Sequence, residues 1–260
     1  PRVRKPEKIF YPLDEVMDSL YDKTIIYLSN PVKGLTYNRY RAISYLKPHK
    51  KNKYQKADMI STQLARIMKT LLVKRIDSSF FAFKKSLTRF SEATNAMVKM
   101  FEKGTIYIAP NLGVTEYINE DREDELIQLI SEEAATDPTI DVCAADDFEP
   151  GFHTGLLHDK ELLDELVADW KDIEQDPKLD EFKKYLKKKL FKPAINKEGK
   201  LVVFSESKET TTYLKDKLVE AGFEKILCVE SATRKNLMPA IRENFDANIP
   251  LAEQTNNYNI

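Results

Sequence analysis

Residues 200–218 read KLVVFSESKETTTYLKDKL: an apolar run breaks at Ser205, crosses a Ser/Lys/Glu/Thr cluster and enters an amphipathic helix. Where a parallel strand turns at its carboxyl end into a helix, the first helical amides lack intrahelical acceptors and the positive end of the helix dipole faces outward. An anion is stabilised there. Ser205 and Ser207 supply hydroxyls or a cap and Lys208 a full positive charge, which together suit a phosphate. The same residue types recur in CVESATRKN, 228–236, where Ser231, Thr233, Arg234 and Lys235 gather at a second helix start. Two such turns on one sheet edge fit a polyanion tracking along it. The plainer reading is that Ser207 caps its helix and nothing binds.

Other chemistry is sparse. The chain holds no phosphate-binding GxxxxGK[ST] loop, no GxGxxG, no GxSxG and no HExxH. His49, His153 and His158 have no serine or cysteine at a triad-like spacing, and Cys143 and Cys228 form no CxxC, so neither a disulfide framework nor a zinc site is indicated. The acid pairs in DEVM, DELV and DEFK read as solvated helix faces. No catalytic residue and no metal ligand is therefore assigned. Two lysine runs, KPHKKNKYQK and KKYLKKK, read first as solvated surface and second as backbone-contacting patches.

Lys plus Arg (41) nearly cancel Asp plus Glu (42), leaving a net charge of −1 that gives no global case for an anionic partner. Any such case is local. With 42% hydrophobic residues the chain can bury a core, and seven glycines against 32% charged residues favour a mainly helical protein. Neither a signal peptide nor eighteen consecutive apolar residues is present, and thiol usage fits a reducing compartment; no membrane partner and a cytoplasmic location are expected. Pro1 and the closing NNYNI give the look of a piece cut from something longer.

Periodicity supplies the elements that must position these residues. Helices are expected over 13–29, 36–46, roughly 54–75 and 78–102, the third on the stripe Leu64, Ile67, Met68, Leu71 and Leu72. Arg75 falls on that stripe, directing a charge inward, and Ser78 or Ser79 can cap the next helix. The corner is then pinned by Arg75 and Asp77 or belongs to a domain interface. TIYIA, from Thr105, is a candidate strand. Residues 116–149 are crowded with acids and read as a mobile insertion with one helix near 123–133. Helical spacing returns through Trp170 and Leu190, and from Lys200 short apolar strands alternate with amphipathic helices, the grammar of a parallel sheet covered on both faces.

LLVKRIDSSFFAFKKSL, 71–87, resembles the segment of Swi/Snf-like superfamily 2 helicases that follows the linker between their two RecA-like lobes, through Leu72, Lys74, Arg75, Ser78, Ser79, Ala82 and Phe83. DPKL, 176–179, looks like the step into the second lobe, and KLVVFSESKETTTYL is similar to helicase motif IV, with Phe204, Ser205, Thr210 and Leu214 at the matching positions. SATRKNLMPAIRENFDAN followed by Tyr258-Asn259-Ile260 is similar to the approach to motif V. The phosphate-loop lysine, the DExx box, the motif V turn and QxxGRxxR have no counterpart here.

The resemblance implies, in a mainly helical α/β chain, an inter-lobe helical region over 1–103 and over 157–260 an incomplete RecA-like lobe with helices on both faces of a parallel sheet; the acidic insertion between them, 104–156, has no counterpart in the matched motifs. The resemblance also implies a fragment of an ATP-dependent DNA or RNA translocase, with duplex DNA the expected substrate and the first lobe of the same parent its partner. Ser205, Ser207, Lys208, Ser231, Arg234 and Lys235 would hold the backbone of the tracked strand. Lys74, Arg75, Ser78 and Ser79 would sit between lobes. ATP and magnesium would belong to the intact enzyme, and this piece alone would hydrolyse nothing. The competing reading is a helical module that docks a protein through the acidic stretch or the Trp170 helix.

Overall fold

The computed structural model describes residues 5–108, 141–205 and 207–260. It is mainly helical, and the chain divides into a helical unit, Glu15–Glu174, and a second unit made of Pro1–Asp14 with Gln175–Ile260. The helix expected near 123–133, with most of the acidic stretch, lies outside the described residues. Among the described residues no helix is long and apolar enough to cross a membrane.

The helical unit runs α1 (Glu15–Ser29), a 3-10 stretch (Asn38–Tyr45), α2 (Pro48–Lys51), α3 (Gln55–Ser78), α4 (Phe80–Glu102), β1 (Thr105–Ile108), β2 (Asp141–Ala144) and α5 (Pro150–Lys171). The stripe on α3 is buried at Met68, Leu71 and Leu72, and continues through Arg75 and Ile76. Ser79 breaks the helix in extended conformation, and its hydroxyl accepts the Ala82 N–H as the cap of α4. A single residue thus makes the corner. The apolar side of α4, carrying Phe80, Phe83, Leu87 and Phe90, packs against α5 and its Leu156, Leu163, Leu166 and Trp170.

Trp170 is 1% exposed, with the rings of Phe80 and Phe83 edge-on at 5.1 and 5.2 Å. Its indole N–H donates to Thr24 Oγ1 at 2.9 Å, and that hydroxyl donates in turn to the Leu20 carbonyl at 2.7 Å. Every polar atom of this link is satisfied, which is what lets an indole sit in the core of three helices.

β1 and β2 pair antiparallel, Thr105 opposite Ala144 and Ile108 opposite Asp141. Alternation turns Ile106, Ile108 and Cys143 inward, onto Phe148, Phe152 and Leu156, while Tyr107 and Val142 face out. The expected strand at TIYIA is therefore present. Its partner comes from within the acidic stretch, where no strand was expected.

The helix expected over 36–46 is instead a 3-10 stretch entered through Tyr37, whose φ of 56° is left-handed. The reason lies on α5. Asp159, 3% exposed, accepts hydrogen bonds from the backbone N–H groups of Thr36 (2.6 Å) and Asn38 (2.9 Å) and from the Thr36 hydroxyl (3.0 Å). These are orphan donors of a helix start, capped here from a distant element. Asn38 in turn donates its side-chain amide to the carbonyls of Gly151 (3.2 Å) and Phe152 (3.4 Å).

Burial pushes the Asp159 carboxyl above its ordinary 3.8, outweighing the hydrogen bonds that favour its charged form. A carboxyl raised on folding adds stability that is full below its unfolded pKa and lost as pH rises through the folded one. Asp58, Asp141 and Asp164, held low by their partners, act in the opposite sense. Asp159→Asn places an amide N–H against backbone donors and is expected to cost about 1–3 kcal/mol. The deficit relative to wild type should be largest in acid and shrink as pH rises. Urea midpoints at several pH values measure it, and a deficit that grows with pH would contradict this account.

The second unit contains α6 (Pro177–Tyr185), which runs into a wider π turn at Leu186–Leu190, then α7 (Lys208–Glu220) and α8 (Arg234–Phe245). Asp176 caps α6 by accepting from Leu179 N–H at 2.9 Å, with Pro177 at the first helical position. Leu179, Leu186 and Leu218 are its buried apolar side chains among the described residues.

The parallel sheet expected from LVVFS and KILCVE is reduced, among the described residues, to isolated pairings. Leu201 N–H donates to the Asn259 carbonyl (2.8 Å). Ile260 donates to Lys225 (3.1 Å) and accepts from Leu227 (2.7 Å), one parallel step centred on Ile226. Asn259 and Ile260 thus lie between the two apolar segments, anchored by Lys200 Nζ on the Tyr258 carbonyl (2.6 Å) and by Tyr258 N–H on Asn244 Oδ1 (3.0 Å). A parallel sheet needs cover on both faces. Here Val202 and Phe204 remain 57% and 92% exposed, so no ladder is consolidated at 201–205.

Candidate nucleic-acid interface

The first junction forms as a capped helix start. Ser207 is buried and extended, and its hydroxyl accepts the Thr210 N–H at 3.3 Å. Its carbonyl accepts both the backbone N–H and the hydroxyl of Thr211 at 3.0 Å. Ser205 folds toward it, its Oγ 3.3 Å from Ser207 N. The capping role of Ser207 is therefore present, and it occupies one of the amides that an anion could have used. Ser205 and Lys208 are exposed.

The second junction is closed differently. Glu230 C=O accepts from Thr233 N–H (3.1 Å) and Arg234 N–H (2.8 Å), while Thr233 Oγ1 accepts from Glu230 N–H (3.1 Å). This turn spends those amides on itself. What it presents to solvent are side chains, Ser231, Arg234 and Lys235, all exposed.

The two junctions meet. Lys208 Nζ at the start of α7 lies 2.9 Å from Glu230 Oε2 at the entry to α8, with the lysine side chain 64% exposed and the glutamate 20%. An ion pair so open to water is worth little in stability. Its significance is positional: Ser205, Lys208, Ser231 and Arg234 belong to two adjoining helix starts of one unit. The arrangement offers cations and hydroxyls to an anion larger than one phosphate, which would compete with Glu230 for Lys208. Sequence reasoning placed Ser205, Ser207, Lys208, Ser231, Arg234 and Lys235 at these starts but had no means of finding Glu230, whose partner is distant in the chain.

Lys74, Arg75, Ser78 and Ser79 lie in the helical unit, at the corner between α3 and α4. Arg75 and Ser79 are buried, Ser78 is half-buried and Lys74 exposed. Asp77 accepts from the Tyr21 hydroxyl of α1, so the corner is tied to a third helix. The two lysine runs are largely engaged: Lys50 pairs with Asp147 (3.2 Å), Lys51 with Asp58 (3.0 Å), Lys183 with Asp180 (3.2 Å) and Lys189 with Glu7.

Among the described residues no three acid, histidine or cysteine side chains converge on a metal-sized space. Gly104, Gly199 and Gly222, at positive φ, each stand alone in a turn and build no phosphate-cradling loop. Cys228 is half-buried and its thiol is pushed up by burial, which makes it a poor nucleophile. No family model, curated protein or solved structure matches the chain.

Proposed function

We propose that the second unit grips the phosphate backbone of a nucleic acid, as part of an ATP-dependent DNA or RNA helicase or translocase whose nucleotide-hydrolysing motifs lie outside this sequence. The observation that carries the reading is the Lys208–Glu230 contact, which sets two cation-bearing helix starts side by side. Lys208, Ser205 and Ser231 meet phosphate oxygens, and Arg234 and Lys235 extend the positive edge along α8. Duplex DNA is the first substrate to try. The helical unit, with Lys74, Arg75, Ser78 and Ser79 at its α3–α4 corner, couples this grip to a first RecA-like lobe, where ATP and magnesium belong.

The test is binding of the full chain to labelled DNA and RNA across a salt series. Lys208→Glu with Arg234→Glu is expected to weaken binding to all sequences alike and to lower the salt slope by about one for each phosphate no longer neutralised. Binding that ignores both the salt and the two substitutions would remove the grip and leave a protein-docking helical module in its place.

A further inference from the structure

We infer that Phe204 is a stacking platform for an unpaired base, so that this face of the second unit takes single-stranded nucleic acid. The inference rests on the backbone grip proposed above and adds to it the strand state of the ligand. Phe204 is 92% exposed, whereas Phe223, Phe245 and Tyr258 of the same unit are half-buried. The nearest ties in the chain are Leu201 N–H on the Asn259 carbonyl and the Ser207 cap of α7. A bare ring this exposed offers an uncovered face to a flat partner.

The chemistry beside it selects that partner. Lys208 follows four residues later, and through Glu230 it adjoins the turn that bears the exposed Arg234 and Lys235. An apolar protein segment laid over Phe204 would run past Ser205 and Lys208 along the chain, whereas a polynucleotide has a π-face for the ring and phosphates for the charges. In a duplex the base faces are consumed by stacking on one another, leaving nothing for an external ring. A single strand satisfies both groups at once.

The experiment compares a labelled oligothymidylate with a labelled duplex on the full chain, by fluorescence anisotropy at low salt. Phe204→Ala is expected to weaken oligothymidylate binding about tenfold or more, as loss of one stacked base does, and to leave duplex binding unchanged. Phe204→Trp should keep the affinity and show quenched emission on binding. Because Phe204 is exposed, neither variant should alter the fold, which circular dichroism checks. Lys208→Glu should weaken both ligands. If Phe204→Ala binds oligothymidylate as wild type does while Lys208→Glu weakens it, the stacking inference falls and the backbone grip stands. Wild type that binds only the duplex would likewise overturn the stacking and keep the grip. If neither ligand binds, both fall.

Discussion

Trp170→Ala is expected to destabilise the helical unit by about 3–5 kcal/mol, the range for deleting a large aromatic from a packed core. Three contributions converge on this side chain: burial to 1% exposure, edge contacts with Phe80 and Phe83, and the indole N–H to Thr24. Removing it leaves a cavity between α1, α4 and α5 and strands the Thr24 hydroxyl, itself 0% exposed, with its acceptor capacity unused. Trp170→Phe separates these effects. It keeps most of the apolar volume and loses the hydrogen bond, so it should cost less than half as much, and Thr24→Val should then add little to it. Chemical unfolding followed by circular dichroism measures all three. An unchanged midpoint for Trp170→Ala would mean that α5 does not hold this core together.

Gly155→Ala is the second large effect, for a reason of space. A Cβ at Gly155 would lie 1.8 Å from Asn38 Nδ2 and 2.6 Å from its Cγ. Asn38 cannot yield cheaply, since it is 1% exposed and held by the carbonyls of Gly151 and Phe152. Either α5 moves away from the 3-10 stretch or the Asn38 amide is expelled from its acceptors, and overpacking together with lost buried hydrogen bonds gives about 2–5 kcal/mol. The fluorescence of Trp170, the single tryptophan of the chain, reports the loss. Asn38→Ala alone should also destabilise, yet combined with Gly155→Ala the two should cost at least about 1 kcal/mol less than their sum, because the smaller side chain vacates the contested space. Strict additivity would show that the clash is relieved elsewhere.

The parts legible in the sequence are those governed by near neighbours. The stripe from Leu64 to Leu72, a cap at Ser78 or Ser79 and the phenylalanines of α4 obey helical spacing and local capping; the structure chooses Ser79 as the cap and carries the preceding helix on to Ser78. Arg75 was readable as an inward charge by the same rule. The 3-10 stretch at Asn38 was not, because what shapes it is Asp159, 121 residues away, on a helix face that carries no special motif. β2 was hidden for a related reason: DVCA is a run of only three small apolar residues and becomes a strand only by pairing with β1.

The candidate interface divides along the same line. The cap at Ser207 and the helix starts of α7 and α8 followed from local chemistry. The pairing of Lys208 with Glu230 and the exposure of Phe204 depend on how the segments 200–205 and 225–230 sit in three dimensions. Apolar runs alone suggested buried strands there, since hydrophobicity records what a segment could bury, not whether a neighbour arrives to cover it.

The reach of Asp159 also sets an order of events on the ribosome. α1, the 3-10 stretch, α3 and α4 all precede α5, and the residues that fasten Thr36 and Asn38 are on α5. At about 5–20 residues per second, the 121 residues between Asn38 and Asp159 take roughly 6–24 s to synthesise. In the later part of that interval, after Glu102 and before Pro150 is added, the apolar sides of α3 and α4 exist without the helix that closes over them. The contacts of Trp170 with Phe80, Phe83 and Thr24 can form only after nearly all of the helical unit has been synthesised.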